Sequence, residues 1–199
     1  MRIRHLLTRT LDARGQSMIE MALIMPLCII LVLGVVEVSY ALLDEHIVTK
    51  LSREGSNMIS REATLLDARV AMVSMSSGSV NFNNGNSRVI FSVIRRGGTV
   101  GSANYNLNFL SARHEYGSFA ASSILSTSGS ASFGGPPDYV ATNAENNPSL
   151  RLTNLPANLL VVPGGYLYLT EVYTRHPLIT PLDRFGITVP PTLRSIAYF

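Results

Sequence analysis

The sequence predicts an α+β protein: a long N-terminal helix, membrane-spanning in its first half and amphipathic in its second, followed by a β-rich, mainly antiparallel head. Three observations carry this. Met21–Leu43 is uncharged except for Glu37 and mostly apolar, and its 23 residues suffice to cross a bilayer core, which takes about 20 residues at 1.5 Å each. Beyond Leu43 apolar residues recur at helical spacing, through Ile47, Leu51, Met58, Leu65 or Leu66, Val70 and Val73, with most charges off that stripe. After Ser76 the helical period gives way to β-branched and aromatic runs between Gly, Asn and Pro turns.

These changes of pattern set the expected organisation. Residues 1–15 form a short basic leader, 16–43 a transmembrane helix, 44–76 its amphipathic continuation to about Ser74, and 77–199 the head. Pro26 lies inside the apolar run, where it removes one backbone donor and predicts a kink that membrane helices tolerate. Gly55 falls four residues after Leu51, on the apolar face, where its small size permits close packing. Cys28 is the single cysteine, so no intrachain disulfide exists, and its place mid-span reads as a small apolar side chain.

In the head, Arg88–Arg95 reads as a half-buried strand bounded by Gly97-Gly98. Residues 103–115, in which Tyr105, Leu107 and Phe109 alternate with asparagines, read as its hairpin partner. Leu150–Leu155 is a third candidate and Tyr166–Thr174 a fourth; Arg194–Phe199 closes the sheet. Gly117–Pro137 is dominated by Ser, Gly and Ala and reads as a long surface loop contributing little core. A soluble head is expected from about Ser56 onward.

Charge and motifs exclude several classes. The net charge of +3 comes entirely from Arg2, Arg4, Arg9 and Arg14 against Asp12, and the twelve basic and twelve acidic residues after position 15 cancel. Phosphate binding needs a basic patch, so nucleic acid is not an expected partner. The basic leader instead acts as a topogenic signal that keeps the N-terminus cytoplasmic. The apolar content of 46% and mean hydropathy of +0.23 are high for a soluble protein, and a membrane segment accounts for the excess. No Gly-x-Ser-x-Gly elbow, phosphate-binding loop, His-Glu-x-x-His or paired Cys motif is present in the sequence. His5, His46, His114 and His176 are scattered, and His114 beside Glu115 and His176 near Glu171 read as surface polar neighbours. The expectation is a non-enzymatic protein with no cofactor, no metal and no small-molecule substrate.

Two acids border the apolar run. Glu37 reads as an interfacial residue reaching water near the outer leaflet, with packing inside an assembly as the alternative. Glu20 is harder to place, because an ionised acid at helix-centre depth costs roughly 2.5–3.5 kcal/mol on insertion scales. The arrangement Arg14-Gly15-Gln16-Ser17-Met18-Ile19-Glu20, ahead of an apolar run containing Pro26, resembles the processing site of type IV prepilins. It is most similar to the TadE-like minor pseudopilins of tight-adherence (Flp-type) pilus systems. Pro163-Gly164-Gly165, the Tyr-rich strand and Pro177-Leu178 are similar to that family's C-terminal region.

The resemblance implies cleavage by a prepilin peptidase after Gly15, so that Gln16 begins the mature chain and Glu20 becomes its fifth residue. It implies that Glu20 meets the new α-amine of a neighbouring subunit, with Pro26 part of the same assembly helix. Implied partners are the peptidase, other pilins and the assembly platform, and inner-membrane lipid. The implied location is the bacterial inner membrane, single-pass, with a periplasmic head and possible entry into an extracellular pilus. A second reading stays open: a secreted or membrane-anchored β-rich binding protein with a conventional signal peptide, because Ser39-Tyr40-Ala41 has the small-x-small form of a signal-peptidase site.

Overall fold

The computed structural model describes residues 13–156, 159, 161–187 and 190–199, with side chains from Ser17. Most of the expected leader, residues 1–12, lies outside the described residues. The chain forms two compact units, Met1–Ser39 with Leu178–Thr188 and Tyr40–Pro177 with Val189–Phe199. The α+β class is as the sequence predicts.

Helix α1 runs through Ala13–Ser60, 48 residues with Pro26 inside it. Its first half is long and apolar enough to cross a membrane. Apolar side chains are exposed on every side there, among them Met18, Leu23, Ile24, Leu27, Ile29, Leu31, Val32 and Val35. A helix apolar all round is one that is covered, by protein or by a membrane.

The helix does not continue to Ser74. It ends at Ser60, and a second helix, α2, occupies Leu65–Met75. Glu62 takes the left-handed conformation with φ 67°, and the Ala63 amide bonds back to the Met58 carbonyl, closing α1 with a left-handed C-terminal turn. Thr64 then caps α2: its hydroxyl accepts from the Asp67 amide at 3.1 Å and donates to the Asp67 carboxylate at 2.7 Å. Thr64-Leu65-Leu66-Asp67 is a capping-box spacing, which outweighs the unbroken apolar period.

In the second unit β1 (Ser87–Arg96), β2 (Asn108–Tyr116), β3 (Tyr166–Arg175) and β4 (Thr192–Tyr198) form one antiparallel sheet in the order β2-β1-β3-β4. Both faces are covered. On one side Val89 and Phe91 of β1 and Val172 of β3 pack with Val48, Leu51 and Ile59 of α1 and Leu65, Ala68 and Met72 of α2. On the other, Ile94, Leu110 and Leu169 pack with Leu125, Ile124, Phe133, Leu152 and Leu155. The stretch 117–137 has no helix or strand, yet Leu125 and Phe133 help to cover the sheet. Few large side chains suffice because the sheet supplies the rest.

Three local expectations change. Of residues 103–115 only Asn108 onward is strand. Asn106 adopts φ 58°, and buried Asn104 donates to the carbonyls of Ala144 and Asn147 and accepts from Arg151, so the alternating asparagines build a turn. Leu150–Leu155 is not a strand; it makes only the isolated bridges Arg151 to Phe109 and Leu152 to Thr127, after a short 3-10 turn at Pro148–Leu150. The buried stripe of α1 is Asp44, Val48, Leu51, Ser52, Gly55, Ser56 and Ile59, whereas Leu43 and, on α2, Val70 are half exposed. That stripe contains small polar residues because the sheet edge bonds them: Ser52 with Ser195 at 2.8 Å, and Ser56 to the Ala197 carbonyl at 2.8 Å.

Candidate assembly and anchoring site

The residues singled out by sequence fall in the first turns of α1. Gly15 and Gln16 are helical in backbone, and the Gln16 side chain lies outside the described residues. Glu20 is exposed, beside exposed Ile19, Met21, Leu23 and Ile24. Pro26 follows six residues later inside the same helix. Ser39-Tyr40-Ala41 also lies within α1, in unbroken helix.

Glu37 is the site that sequence reasoning misplaced. It is 1% exposed, in contrast to an interfacial residue reaching water. Its carboxylate accepts from the Ile179 amide at 3.2 Å to each oxygen, from the Thr180 amide at 2.9 Å and from the Thr180 hydroxyl at 2.7 Å. Charge-assisted bonds of this kind are about twice as strong as neutral ones and offset the cost of taking a carboxylate out of water. The local sequence makes the donors available. Pro181 restricts the residue before it, and Thr180 is extended at φ −100° and ψ 154°, ahead of a 3-10 turn at Pro181–Phe185 with buried Leu182 beneath it. Gly186, at φ 74°, ends the turn by donating to the Asp183 and Leu182 carbonyls, a conformation glycine adopts at little cost. In the sequence only the prolines around Leu178-Ile179-Thr180 hint at this segment, and nothing there pairs it with Glu37, 142 residues earlier.

Among the described residues, His114 with Glu115 and His176 with Glu171 form no joint metal-binding group. His114 stacks on Tyr139 with centroids 3.9 Å apart, while Glu115 pairs with Arg88. Burial first, and then the Arg69 charge, hold the His114 imidazole below its ordinary range, with Glu115 opposing them. His176 is buried rather than a surface neighbour of Glu171, and its Nδ1 meets the Asp44 carboxylate at 2.7 Å. Glu171 is also buried, and accepts from the Ser123 hydroxyl at 2.5 Å, the Ile124 amide at 2.8 Å and the Tyr173 hydroxyl at 2.9 Å. Burial, reinforced by Glu171, raises the Tyr173 phenol well above its ordinary value. Arg113 bonds Ser123 and Ser92, and burial lowers its pKa against the pull of Glu115 and Glu171. This polar group fastens the 117–137 stretch to the sheet; the Ser/Gly-rich composition gave no sign of it.

No curated protein and no solved structure matches the chain. The family model of TadE-like proteins matches residues 15–57, a span that begins at Gly15 and takes in Glu20, Pro26 and Glu37. Over this N-terminal segment the chain is similar to TadE-like proteins, and the match takes in most of the part of α1 that is long and apolar enough to cross a membrane.

Proposed function

We propose that the protein is a structural, non-enzymatic minor pilin or pseudopilin of a tight-adherence (type IV-like) pilus or secretion assembly. In this reading a prepilin peptidase removes residues 1–15 after Gly15, and α1 from Gln16 is the element through which subunits assemble. The N-terminus is cytoplasmic, the helix is embedded in the inner membrane, and the head is periplasmic. The partners are the peptidase, other pilins and the assembly platform; the outcome is pilus biogenesis, adherence or surface attachment.

The observation that carries this reading is Glu20. It stands five residues after Gly15 within the matched segment, exposed at the start of a helix whose next turns are apolar. Cleavage creates an α-amine at Gln16, and an opposite charge on a neighbouring subunit offsets the desolvation of Glu20. The net gain of such a buried pair is close to zero, so its contribution is register more than stability. Complementation of a deletion strain tests this. The Glu20→Val protein is expected to insert and to lose its leader, yet to fail in piliation and in co-purification with the assembly machinery. Full function of Glu20→Val rules out an assembly role for this residue.

A further inference from the structure

We propose that residues 178–187 form a second membrane contact, a tip that enters the interfacial layer of the leaflet receiving residues 30–39 of α1. The inference rests on the reading of α1 as membrane-spanning. Ile187 lines one apolar groove of about 440 Å³ with Ile30, Leu31, Gly34, Val35 and Val38. Ile30, Leu31, Gly34 and Val35 lie up to roughly 10 Å along the helix axis from Glu37, toward the N-terminus, at 1.5 Å per residue, and Val38 is the next residue after it. Any apolar medium that covers the helix at that level therefore reaches the tip as well.

The composition of the tip fits that medium. Ile179, Phe185 and Ile187 are 55%, 57% and 42% exposed, while Leu182 of the same turn is 1% exposed and acts as its internal support. Irregular backbone is excluded from lipid unless its polar groups are paired. Here the Ile179 and Thr180 amides are bonded to Glu37, Pro181 has none, and the Gly186 and Ile187 amides bond to carbonyls of the turn itself. The same bonds supply Glu37 with donors within the last turns of the apolar span, where water is scarce. Asp183 and Arg184 are exposed on the turn and limit its depth to the headgroup and upper acyl region, where an arginine reaches lipid phosphate. The occupant is lipid rather than a second copy of the chain because the exposed apolar surface runs on around most of the circumference of residues 21–36, wider than one partner helix covers.

The chain has no tryptophan, so single substitutions give single fluorophores. The full chain carrying Phe185→Trp, Val32→Trp or Val100→Trp is reconstituted into phosphatidylethanolamine–phosphatidylglycerol vesicles, with lipids brominated near either the glycerol or the methyl end of the acyl chain. Emission from Phe185→Trp is expected to lie to the blue of Val100→Trp and to fall roughly twofold or more with the shallow bromolipid, in keeping with interfacial depth. Val32→Trp should respond more to the deep one. Ile187→Trp repeats the test should Phe185→Trp misfold. Acrylamide quenching of Phe185→Trp equal to that of Val100→Trp, with Val32→Trp still quenched by bromolipid, overturns the inference and leaves the spanning helix intact. Shielding from both acrylamide and bromolipid overturns it in favour of a protein cover. Failure of bromolipid to quench Val32→Trp overturns the spanning reading and this inference with it.

Discussion

The Thr180 amide and hydroxyl both donate to one oxygen of Glu37, at 2.9 and 2.7 Å, so a single carboxylate in α1 fixes a segment 143 residues later in the chain. Hydrogen bonds to charged groups contribute about 1.5–3 kcal/mol each, and a factor of ten in an opening equilibrium is about 1.4 kcal/mol. Glu37→Ala is therefore expected to speed tryptic cleavage after Arg184 by tenfold or more in detergent-solubilised protein, with Glu37→Gln intermediate. Equal cleavage rates in all three proteins would remove the carboxylate from this role.

The boundary of the head moves as a consequence of the packing. A start at Ser56 discards Asp44, Val48 and Leu51, all buried in the second unit. Two large apolar side chains account for about 3–6 kcal/mol at 1.5–3 kcal/mol each, a large share of the 5–15 kcal/mol typical of a domain. A fragment of residues 40–199 should fold cooperatively in urea, and one of residues 56–199 should not. Matching urea midpoints for the two fragments would show that the α1 stripe adds nothing to the head.

Gly55 sits where α1 crosses Thr170 and Phe91. A Cβ there would lie 2.7 Å from the Thr170 methyl and 3.2 Å from the Phe91 ring. Overpacking of this kind costs roughly 1–3 kcal/mol, and a branched side chain meets more of it than alanine. Gly55→Val in the 40–199 fragment is expected to lower the urea midpoint, with Gly55→Ala closer to the parent. An unchanged midpoint for the valine variant would mean that the two layers separate freely.

Much of the fold was legible because its signals are local. The apolar span, the runs that became β1, β3 and β4, and Gly55 on the buried face each follow from period or composition within a few residues. The helix break at Arg61–Thr64 was also local, in Thr64 and Asp67, but the apolar period through Leu65 masked it. What stayed hidden depends on pairs distant in the chain. Glu37 with Thr180, Asp44 with His176, Ser52 with Ser195 and Glu171 with Ser123 are polar residues whose burial makes sense only beside their partners. Read singly, each is a surface residue. Of the candidate site, Gly15, Glu20 and Pro26 were legible as a motif, whereas the Glu37 clamp was not.

His114 gives the head a pH dependence of defined sign. Its folded pKa lies below the ordinary value of 6.5, so between the two values the unfolded chain binds more protons. Stability contributed by the neutral ring is fully present above about pH 6.5, declines as the pH falls toward the folded pKa, and is flat below it. His114→Phe keeps a ring against Tyr139 and should flatten the urea midpoint of the 40–199 fragment across that window. A midpoint that falls as steeply with acid in the variant as in the parent would assign the dependence to another group.

The most direct test of the account is mass spectrometry of the N-terminal peptide of the protein isolated from its native membrane. The account predicts a chain beginning at Gln16, as the free amine or as the cyclised pyroglutamyl form, which the measured mass distinguishes. A peptide that retains residues 1–15, or a chain that begins at Leu42, contradicts it.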